Sequence, residues 1–261
     1  MSILARIVAD KKIEVGQRKK IFPIAYWEAS PLFEQPTNSL AKRLRESKSG
    51  IIAEHKRRSP SKQNINNSLS VANVAIGYEK AGVCGMSVLT DGKYFGGSLD
   101  DLTLARASTD FPLLRKEFIV DEYQLIEAKA HGADVILLIA AVLSRNEIQQ
   151  LSTLAKSIGL DVLLEVHNLA ELEKSIMPTL DMLGVNNRNL KTFEVSLDTS
   201  RTLAEKIPSD FVKVSESGIS DVNSIKNLKT FGYKGFLVGE NFMKTTDPGA
   251  AALDFIKELE G

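Results

Sequence analysis

Short apolar runs rich in β-branched residues alternate with longer amphipathic stretches along most of the chain, beginning near residue 50. The amphipathic stretches repeat their apolar residues at helical spacing and several close on a glycine, as in 144–159 (SRNEIQQLSTLAKSIG) and 220–232 (SDVNSIKNLKTFG). Such alternation is typical of βα units repeated around a parallel sheet. It predicts eight strands, at 51–56, 85–90, 112–118, 134–142, 161–167, 182–188, 212–216 and 235–239.

Eight strands, each followed by a helix, favour an α/β fold in which the sheet is closed, a single (β/α)8 or TIM barrel, over an open doubly wound sheet. Residues 1–48 precede the first strand and predict one or two amphipathic helices with a proline-containing connection (SPLFEQPTNS). We expect this N-terminal helical extension to cap one end of the barrel proper, 49–261. The whole chain, 1–261, is expected to be a single domain.

Composition limits the partners and the compartment. Of 261 residues, 43% are hydrophobic, and 33 basic side chains balance 33 acidic ones, so nothing favours nucleic acid or an anionic membrane as a partner. Cys84 is the only cysteine, which excludes an intrachain disulfide and argues against a cysteine-based metal site. The charged N-terminus lacks the apolar core of a signal peptide, and its run 11–20 (KKIEVGQRKK) is interpreted as a solvated helix face. A cytoplasmic protein is expected.

Ionisable side chains interrupt the predicted strands near their carboxyl ends, although strands buried on both faces are normally apolar. In the first strand, the two-residue period places Glu54 and Lys56 on one face. His55 is on the other, as an interior histidine with satisfied hydrogen bonds. Further polar residues at strand ends are Lys116, Glu165, Asn186, Arg188, Glu216 and Ser217. Because the strand ends of a barrel meet at one mouth, these groups predict a cavity for acid and base chemistry; structural ion pairs are the alternative.

Glycine-containing turns follow the last two strands, at Ser217-Gly218 and at Gly239-Glu240-Asn241. Their backbone N–H groups predict a phosphate site, since barrels often bind phosphate there, although tight turns alone would also select glycine. Apolar residues at other strand ends predict a flat wall suited to an aromatic group. They are Phe95, Phe118, Leu137 and Leu237.

The loop after the first strand, 56–66 (KRRSPSKQNIN), is longer and more polar than a turn requires. A loop of this kind above a barrel mouth predicts a substrate lid. A plain solvated loop is the alternative.

Eight motifs occur in order along the chain: AEHKRRSPSK, SVLTDGKYFGGSLDDL, PLLRKEFIVDEYQ, ADVILLIAAVL, GLDVLLEVHN, GVNNRNLKTFEV, VSESGI and FLVGENFMK. Together they resemble the indole-3-glycerol phosphate synthase family over nearly the whole chain, from RIVADKKIEV to DPGAA. The resemblance implies a carboxy-lyase of tryptophan biosynthesis that uses neither cofactor nor metal. Its reaction converts 1-(2-carboxyphenylamino)-1-deoxyribulose 5-phosphate into indole-3-glycerol phosphate, carbon dioxide and water.

The same resemblance implies roles for individual residues. Lys116 would supply a proton or positive charge to the ketone oxygen during ring closure, and Glu54 with Lys56 the acid and base for dehydration. Glu165 and Asn186 would orient the lysine and the sugar hydroxyls or transfer protons. The implied substrate contacts are Arg188, Glu216 and Ser217 for the carboxylate or hydroxyls, and Ser59, Gly218, Gly239 and Glu240 for the phosphate, with the Glu240 side chain turned away from it.

Two departures from the family pattern remove no catalytic group. They are His55, where an apolar or aromatic residue is usual, and Gln63-Asn64, which replaces a glycine after SPSK. The second departure is expected to stiffen the lid.

Two other functions stay open from the sequence. Phosphoribosylanthranilate isomerase is also a phosphate-binding barrel, but it needs an acid and base pair without lysines on strands one and three. The second is a barrel that binds phosphorylated metabolites without catalysis.

The expected partner is a small phosphorylated aromatic substrate. We expect a monomer. Weak association with other tryptophan-pathway enzymes is compatible with this expectation.

Overall fold

Eight parallel strands form a closed barrel within the residues that the computed structural model describes, which are 2–60 and 62–261. They are β1 (Ile51–His55), β2 (Gly85–Leu89), β3 (Leu113–Lys116), β4 (Val135–Ile139), β5 (Asp161–Val166), β6 (Met182–Asn186), β7 (Val212–Glu216) and β8 (Gly235–Val238). Neighbouring strands pair in chain order, and β1 pairs with β8, with Ile52 opposite Leu237. The predicted α/β TIM barrel is confirmed.

Helices precede the first strand and connect the others. They are α1 (Ile3–Ile21), α2 (Ile24–Glu28), α3 (Leu40–Glu46), α4 (Val71–Lys80), α5 (Gly92–Phe95), α6 (Leu99–Ser108), α7 (Tyr123–Ala130), α8 (Arg145–Ser157), α9 (Leu169–Ser175), α10 (Asp198–Ala204), α11 (Val222–Thr230), α12 (Glu240–Met243) and α13 (Pro248–Glu260). Local capping sets their starts: the Ser144 hydroxyl accepts a hydrogen bond from the Glu147 amide, and the Glu147 carboxylate accepts one from the Ser144 amide. Across 2–60 and 62–261, no helix is both long and apolar enough to cross a membrane.

Every predicted strand is present, but several are shorter than their apolar runs. β3 and β4 end at Lys116 and Ile139, whereas the runs extend to 118 and 142. After β4 the chain turns at once, because the amide of Val142 donates to the carbonyl of Ile139 at 3.0 Å. Val142 still packs against the core, so an apolar run overestimates strand length wherever a loop packs inward.

Apolar side chains fill two layers separated by the barrel wall. The inner layer contains alternate strand residues such as Ile52, Leu114 and Leu163, all fully buried. The outer layer, between strands and helices, contains strand residues of the opposite parity, such as Ala53 and Leu164. Burial of both strand faces explains the nearly continuous apolar runs and decides which residues reach the barrel interior.

The predicted N-terminal helical extension is present. Its described residues form three helices instead of one or two, and these helices reach both ends of the barrel instead of one. Leu40 and Leu44 of α3 lie against Gly85 and Gly235, the first residues of β2 and β8, and close the amino-terminal end. α1 lies at the other end, where Ile7 lines a cavity at the strand carboxyl ends. Helical periodicity identifies a buried face but not the surface that it contacts.

Lys11 of α1 is buried, which corrects the interpretation of 11–20 as a solvated face. Its side chain is 3% exposed, and its Nζ lies 2.9 Å from Oδ2 of Asp91 and 3.2 Å from Oε1 of Glu117. Burial alone would lower the pKa of Lys11, but the charges of Glu117 and Asp91 raise it above its ordinary value. Lys11 therefore joins α1 to the carboxyl ends of β2 and β3 through a buried ion cluster.

Replacing Lys11 with methionine is expected to lower the free energy of unfolding by about 3–5 kcal/mol, because the buried carboxylates of Asp91 and Glu117 would lose the ammonium that lies between them. Urea unfolding followed by circular dichroism measures the change. Lys12→Met is the matched control, since Lys12 is the exposed neighbour on the same helix, and we expect a change below about 0.5 kcal/mol. Equal effects of the two substitutions would contradict the buried cluster.

Candidate active site

A cavity of about 390 Å³ opens at the carboxyl ends of the strands, and every residue that the sequence proposes for the site lines it. The predicted catalytic residues there are Glu54, Lys56, Lys116, Glu165 and Asn186, and the predicted substrate-binding residues are Ser59, Phe95, Phe118, Leu137, Arg188, Glu216, Ser217, Gly218, Leu237, Gly239 and Glu240. Barrel geometry brings them together from distant parts of the chain. Among the described residues, no group of three or more His, Cys, Asp or Glu side chains is arranged to hold a metal ion.

Lys116, at the end of β3, lies between two carboxylates. Its Nζ is 3.3 Å from Oε2 of Glu165 and donates a hydrogen bond to Oε2 of Glu216. Glu165 and Glu216 are near the ends of β5 and β7, and strand parity directs all three side chains into the barrel. The other oxygen of Glu216, Oε1, is buried and has no hydrogen-bond partner within residues 2–60 and 62–261, so it can accept one from a substrate.

These three charges set one another's protonation. Burial would lower the pKa of Lys116, but Glu216 and Glu165 raise it, so the ammonium form persists at neutral pH. Burial raises the pKa of Glu216, although Lys116 opposes this. Burial would also raise the pKa of Glu165, but attraction to Lys116 and His167 lowers it. Glu165 is therefore the ionised carboxylate of the pair, and Glu216 is the one that takes up a proton first.

Glu54 and Lys56 form a second pair of opposite charge at the end of β1. Lys56 Nζ lies 2.6 Å from Oε1 of Glu54, which is buried, whereas Lys56 is partly exposed. The turn after β8 approaches this pair closely: a Cβ added to Gly239 would lie 2.5 Å from Glu54 Oε1. A side chain at 239 would therefore force the Glu54 carboxylate to move.

Asn186 and Arg188 approach the cavity from the end of β6. The Asn186 side chain lies beside the Glu165 carboxylate and lowers its pKa, and Asn186 Oδ1 accepts a hydrogen bond from the Arg188 amide at 3.0 Å. The Arg188 guanidinium donates to the carbonyl of Phe193 at 3.2 Å. A guanidinium has several N–H donors, so Arg188 can also bind an anionic substrate group.

Backbone turns after β7 and β8 line another part of the cavity. Ser217 and Gly218 adopt left-handed φ values of 67° and 78°, which is uncommon for serine. Gly239 immediately precedes α12, and the first amides of a helix have no partner within it. The Glu240 carboxylate pairs with Lys62 at 2.6 Å, so its charge is compensated outside the turn. These turns can donate backbone hydrogen bonds to an anion.

Aromatic and aliphatic side chains give the cavity an apolar wall. The rings of Phe95 and Phe118 have centroids 6.0 Å apart and planes inclined by 38°. Leu137 and Leu237 line the same cavity and are buried. Sequence reasoning did not identify several further apolar lining residues outside the strands, among them Ile3, Leu4, Ile7 and Leu190. Their only signal is apolar character outside the strands, which is equally typical of core residues.

The predicted lid is held by side chains that follow the two strands next to β1: Asp101 of α6, after β2, and Glu240 of α12, after β8. On one side, Arg57 donates a hydrogen bond to Oδ1 of Asp101 at 2.8 Å. On the other, Lys62 pairs with Glu240. These contacts hold the loop over the cavity, where a lid would act. Ser61, in the middle of the predicted lid, lies outside the described residues.

Two residues that the sequence did not single out shape the site from within the fold. Gly184 of β6 makes room for Glu216, because a Cβ at 184 would lie 2.4 Å from Glu216 Oε1. Asn187 is buried and donates hydrogen bonds to the carbonyls of Glu216 and Ser217, at 3.0 and 3.1 Å, which fixes the left-handed turn. A glycine inside an apolar strand is a signal for the first residue, whereas Asn187 is indistinguishable by sequence from its neighbour Asn186.

The two departures from the family pattern lie away from the charged cluster. His55 is buried outside the cavity, as strand parity predicts, and burial lowers its pKa to about 4. Its Nε2 has no hydrogen-bond partner in the part of the chain that the structure describes, so the expected satisfied histidine is wrong in that respect. Gln63 and Asn64 are exposed, and their effect on the lid stays a prediction.

Comparison with known proteins gives matches over the full length of the barrel and its preceding helices. Residues 4–255 match the model of the family described as indole-3-glycerol phosphate synthase. The chain is 46% identical over 258 residues to a protein of that name from Bacteroides thetaiotaomicron, covering 99% of each. It is 44% identical over 253 residues to one from Polaromonas sp. (strain JS666), covering 95% of this chain and 96% of the relative.

Solved structures of lower identity share the fold. The chain is similar to 3-hexulose-6-phosphate synthase from Salmonella typhimurium, with a TM-score of 0.63 at 16% identity over 81% of this chain and 98% of the other. Tryptophan synthase subunit alpha from Legionella pneumophila gives a TM-score of 0.61 at 15% identity over 85% and 97% of the two chains. At such identities the likeness is one of fold alone.

Proposed function

The chain belongs to the indole-3-glycerol phosphate synthase family, carboxy-lyases of tryptophan biosynthesis, and we propose that the barrel-mouth cavity is where the family's reaction takes place. That reaction closes the indole ring of 1-(2-carboxyphenylamino)-1-deoxyribulose 5-phosphate, with loss of carbon dioxide and water. The observation that supports the proposal most is Lys116, held as an ammonium between Glu165 and Glu216 inside the cavity.

Ring closure depends on Lys116. Attack of the aromatic carbon on the ketone leaves negative charge on the ketone oxygen, which needs a cation or a proton beside it. The raised pKa of Lys116 keeps its ammonium charged until this oxygen becomes basic enough to take the proton. Glu165 and Glu216 hold Nζ in position and compensate its positive charge until the proton is transferred.

Decarboxylation follows from the environment of the aromatic ring. The new carbon–carbon bond leaves the ring positively charged at the nitrogen side, and departure of carbon dioxide returns the bonding electrons and restores aromaticity. Phe95 and Phe118 offer an apolar wall for this ring. An apolar surround favours the step because charge is lost as carbon dioxide leaves.

Dehydration needs an acid for the departing hydroxyl and a base for the adjacent ring proton. We assign the acid to Lys56, oriented by Glu54 at 2.6 Å. Glu165 is the base, since its lowered pKa keeps it ionised. Asn186 lies beside Glu165 and lowers its pKa, so we assign it to orienting this carboxylate.

The remaining lining residues orient the substrate along the cavity. Ser59 and the turn amides at Gly218, Gly239 and Glu240 are assigned to the phosphate. Arg188, Glu216 and Ser217 are assigned to the substrate carboxylate or hydroxyls. Such a substrate, a phosphorylated aromatic small molecule, matches a cavity with one apolar wall and one anion-accepting end. A monomer acting in the cytoplasm, and the division of the chain at 48 and 49, stay predictions from the sequence.

Incubation with the carboxyphenylamino deoxyribulose phosphate tests the proposal, because the indole product is fluorescent. We expect product to form without added metal or cofactor. Phosphoribosylanthranilate, the substrate of the isomerase alternative, is the matched control and should remain unchanged. Folded protein that produces no indole fluorescence, or that turns over the control substrate instead, would contradict the assignment.

A further inference from the structure

His167 directly follows β5 and has no role in the mechanism above, yet its side chain lies against Glu165. We propose that His167 is a positioning residue: as an imidazolium anchored by Glu171, it holds the Glu165 carboxylate in place and in its ionised form for proton abstraction. This inference rests on the proposed function of Glu165.

The geometry places the Glu165 carboxylate between two cationic groups. Oε1 of Glu165 is 3.3 Å from Nε2 of His167, and Oε2 is 3.3 Å from Nζ of Lys116. The Nε2 contact is an ion contact without the alignment of a hydrogen bond, within the part of the chain described. Each oxygen of the carboxylate thus has its own cation, which restricts rotation of the group.

Glu171 fixes the imidazole from the other side. Its Oε2 lies 3.1 Å from Nδ1 of His167 and accepts a hydrogen bond from the His167 amide at 2.8 Å. Its Oε1 accepts another from the Asn168 side chain at 2.8 Å. Because both oxygens of Glu171 are engaged, the ring cannot swing freely, and its Nε2 edge stays directed at Glu165.

The charges around the ring favour its protonated form. Glu165 from β5, Glu171 from α9 and Glu216 from β7 act on it, and Lys116 from β3 is the cation on the far side of Glu165. Burial would lower the pKa of His167, but the hydrogen bond with Glu171 and the charges of Glu165 and Glu216 raise it above its ordinary value. A protonated ring therefore offsets an excess of carboxylates over lysine in this part of the site.

The consequence is a pH dependence on the alkaline side. Below its raised pKa, His167 is a cation and supports ionised Glu165. As the pH rises through that pKa, the ring becomes neutral and no longer holds the Glu165 carboxylate in position, although Glu165 itself stays ionised. We therefore expect kcat to fall while substrate binding changes little.

Nuclear magnetic resonance of ¹⁵N-labelled imidazole rings tests the protonation directly, without substrate. The sequence has three histidines. Burial lowers the pKa of His55 and His131 to about 4, so His167 is the ring expected to titrate above the ordinary histidine value. Glu171→Gln should lower its titration midpoint, whereas Glu173→Gln, an exposed control on the same helix, should not. A midpoint at or below the ordinary value of about 6.5 would overturn the inference.

Kinetics test the positioning role. We expect His167→Gln to lower kcat at pH 7 by about tenfold, with KM within about twofold, and to remove the alkaline limb that belongs to the ring. In Glu171→Gln the limb should move to lower pH. An unchanged pH profile in both variants would overturn the role, and Glu171→Gln alone decides it if His167→Gln fails to fold. Failure of the proposed function looks different: Glu165→Gln would then keep wild-type kcat, although the His167 ring of the unsubstituted protein titrates above its ordinary value.

Discussion

Replacing Lys116 with methionine is expected to lower kcat by about 10²–10⁴-fold, the usual range for loss of a general acid. Methionine preserves most of the side-chain volume, so the loss reports the missing ammonium rather than a cavity. Without Lys116, Glu165 and Glu216 also lose their shared cation and become two buried carboxylates side by side. We expect both to bind protons more readily, which removes the base as well as the acid. Steady-state indole fluorescence at saturating substrate measures the change.

Lys116→Arg is the matched control for charge. A guanidinium keeps the positive charge between Glu165 and Glu216 but does not give up a proton near neutral pH. We expect this variant to fold with a stability close to that of the parent while its kcat stays far below it. If arginine restored most of the rate, the charge alone would explain Lys116, and proton donation to the ketone oxygen would be excluded.

Strand parity made the charged cluster predictable. Side chains of a strand alternate between two faces, and barrel strands end at one mouth, so Glu54, Lys116, Glu165 and Glu216 are expected to share the interior from their sequence positions alone. Turn position likewise indicated Gly239, because the reason for glycine lies in close packing near the strand end.

The contacts of the N-terminal helix could not be predicted from the sequence. Ile7, Lys11 and Val15 share the buried face of α1 at helical spacing, so a lysine within an apolar stripe was visible in the sequence. What it contacts was not visible, because Asp91 and Glu117 come from loops whose approach to α1 depends on the packed barrel. The Glu171 anchor of His167 is different, because it is a local contact four residues along the chain at the start of α9, and its i,i+4 spacing was visible in the sequence.

Substituting alanine for Gly239 is expected to impair both turnover and substrate affinity. The added Cβ would lie 2.5 Å from Oε1 of Glu54, so the carboxylate must move and its 2.6 Å contact with Lys56 is lost. Displacement of a catalytic group by about 1 Å can cost about 10²-fold, so we expect kcat to fall by about 10- to 100-fold. The turn amides also shift, and loss of a hydrogen bond to a charged phosphate should raise KM by about tenfold.

Gly16→Ala in α1 is the matched control, because a Cβ there meets no atom within 4 Å among the described residues. A double-mutant cycle separates the two effects of Gly239→Ala. In a Glu54→Ala background, the loss in kcat should largely disappear, since the side chain that collides with the new Cβ is gone. The rise in KM should remain, because it arises at the phosphate turn. A kcat loss of the same size in both backgrounds would show that Gly239 does not act through Glu54, and an unchanged affinity for inorganic phosphate would remove the turn after β8 from the anion site.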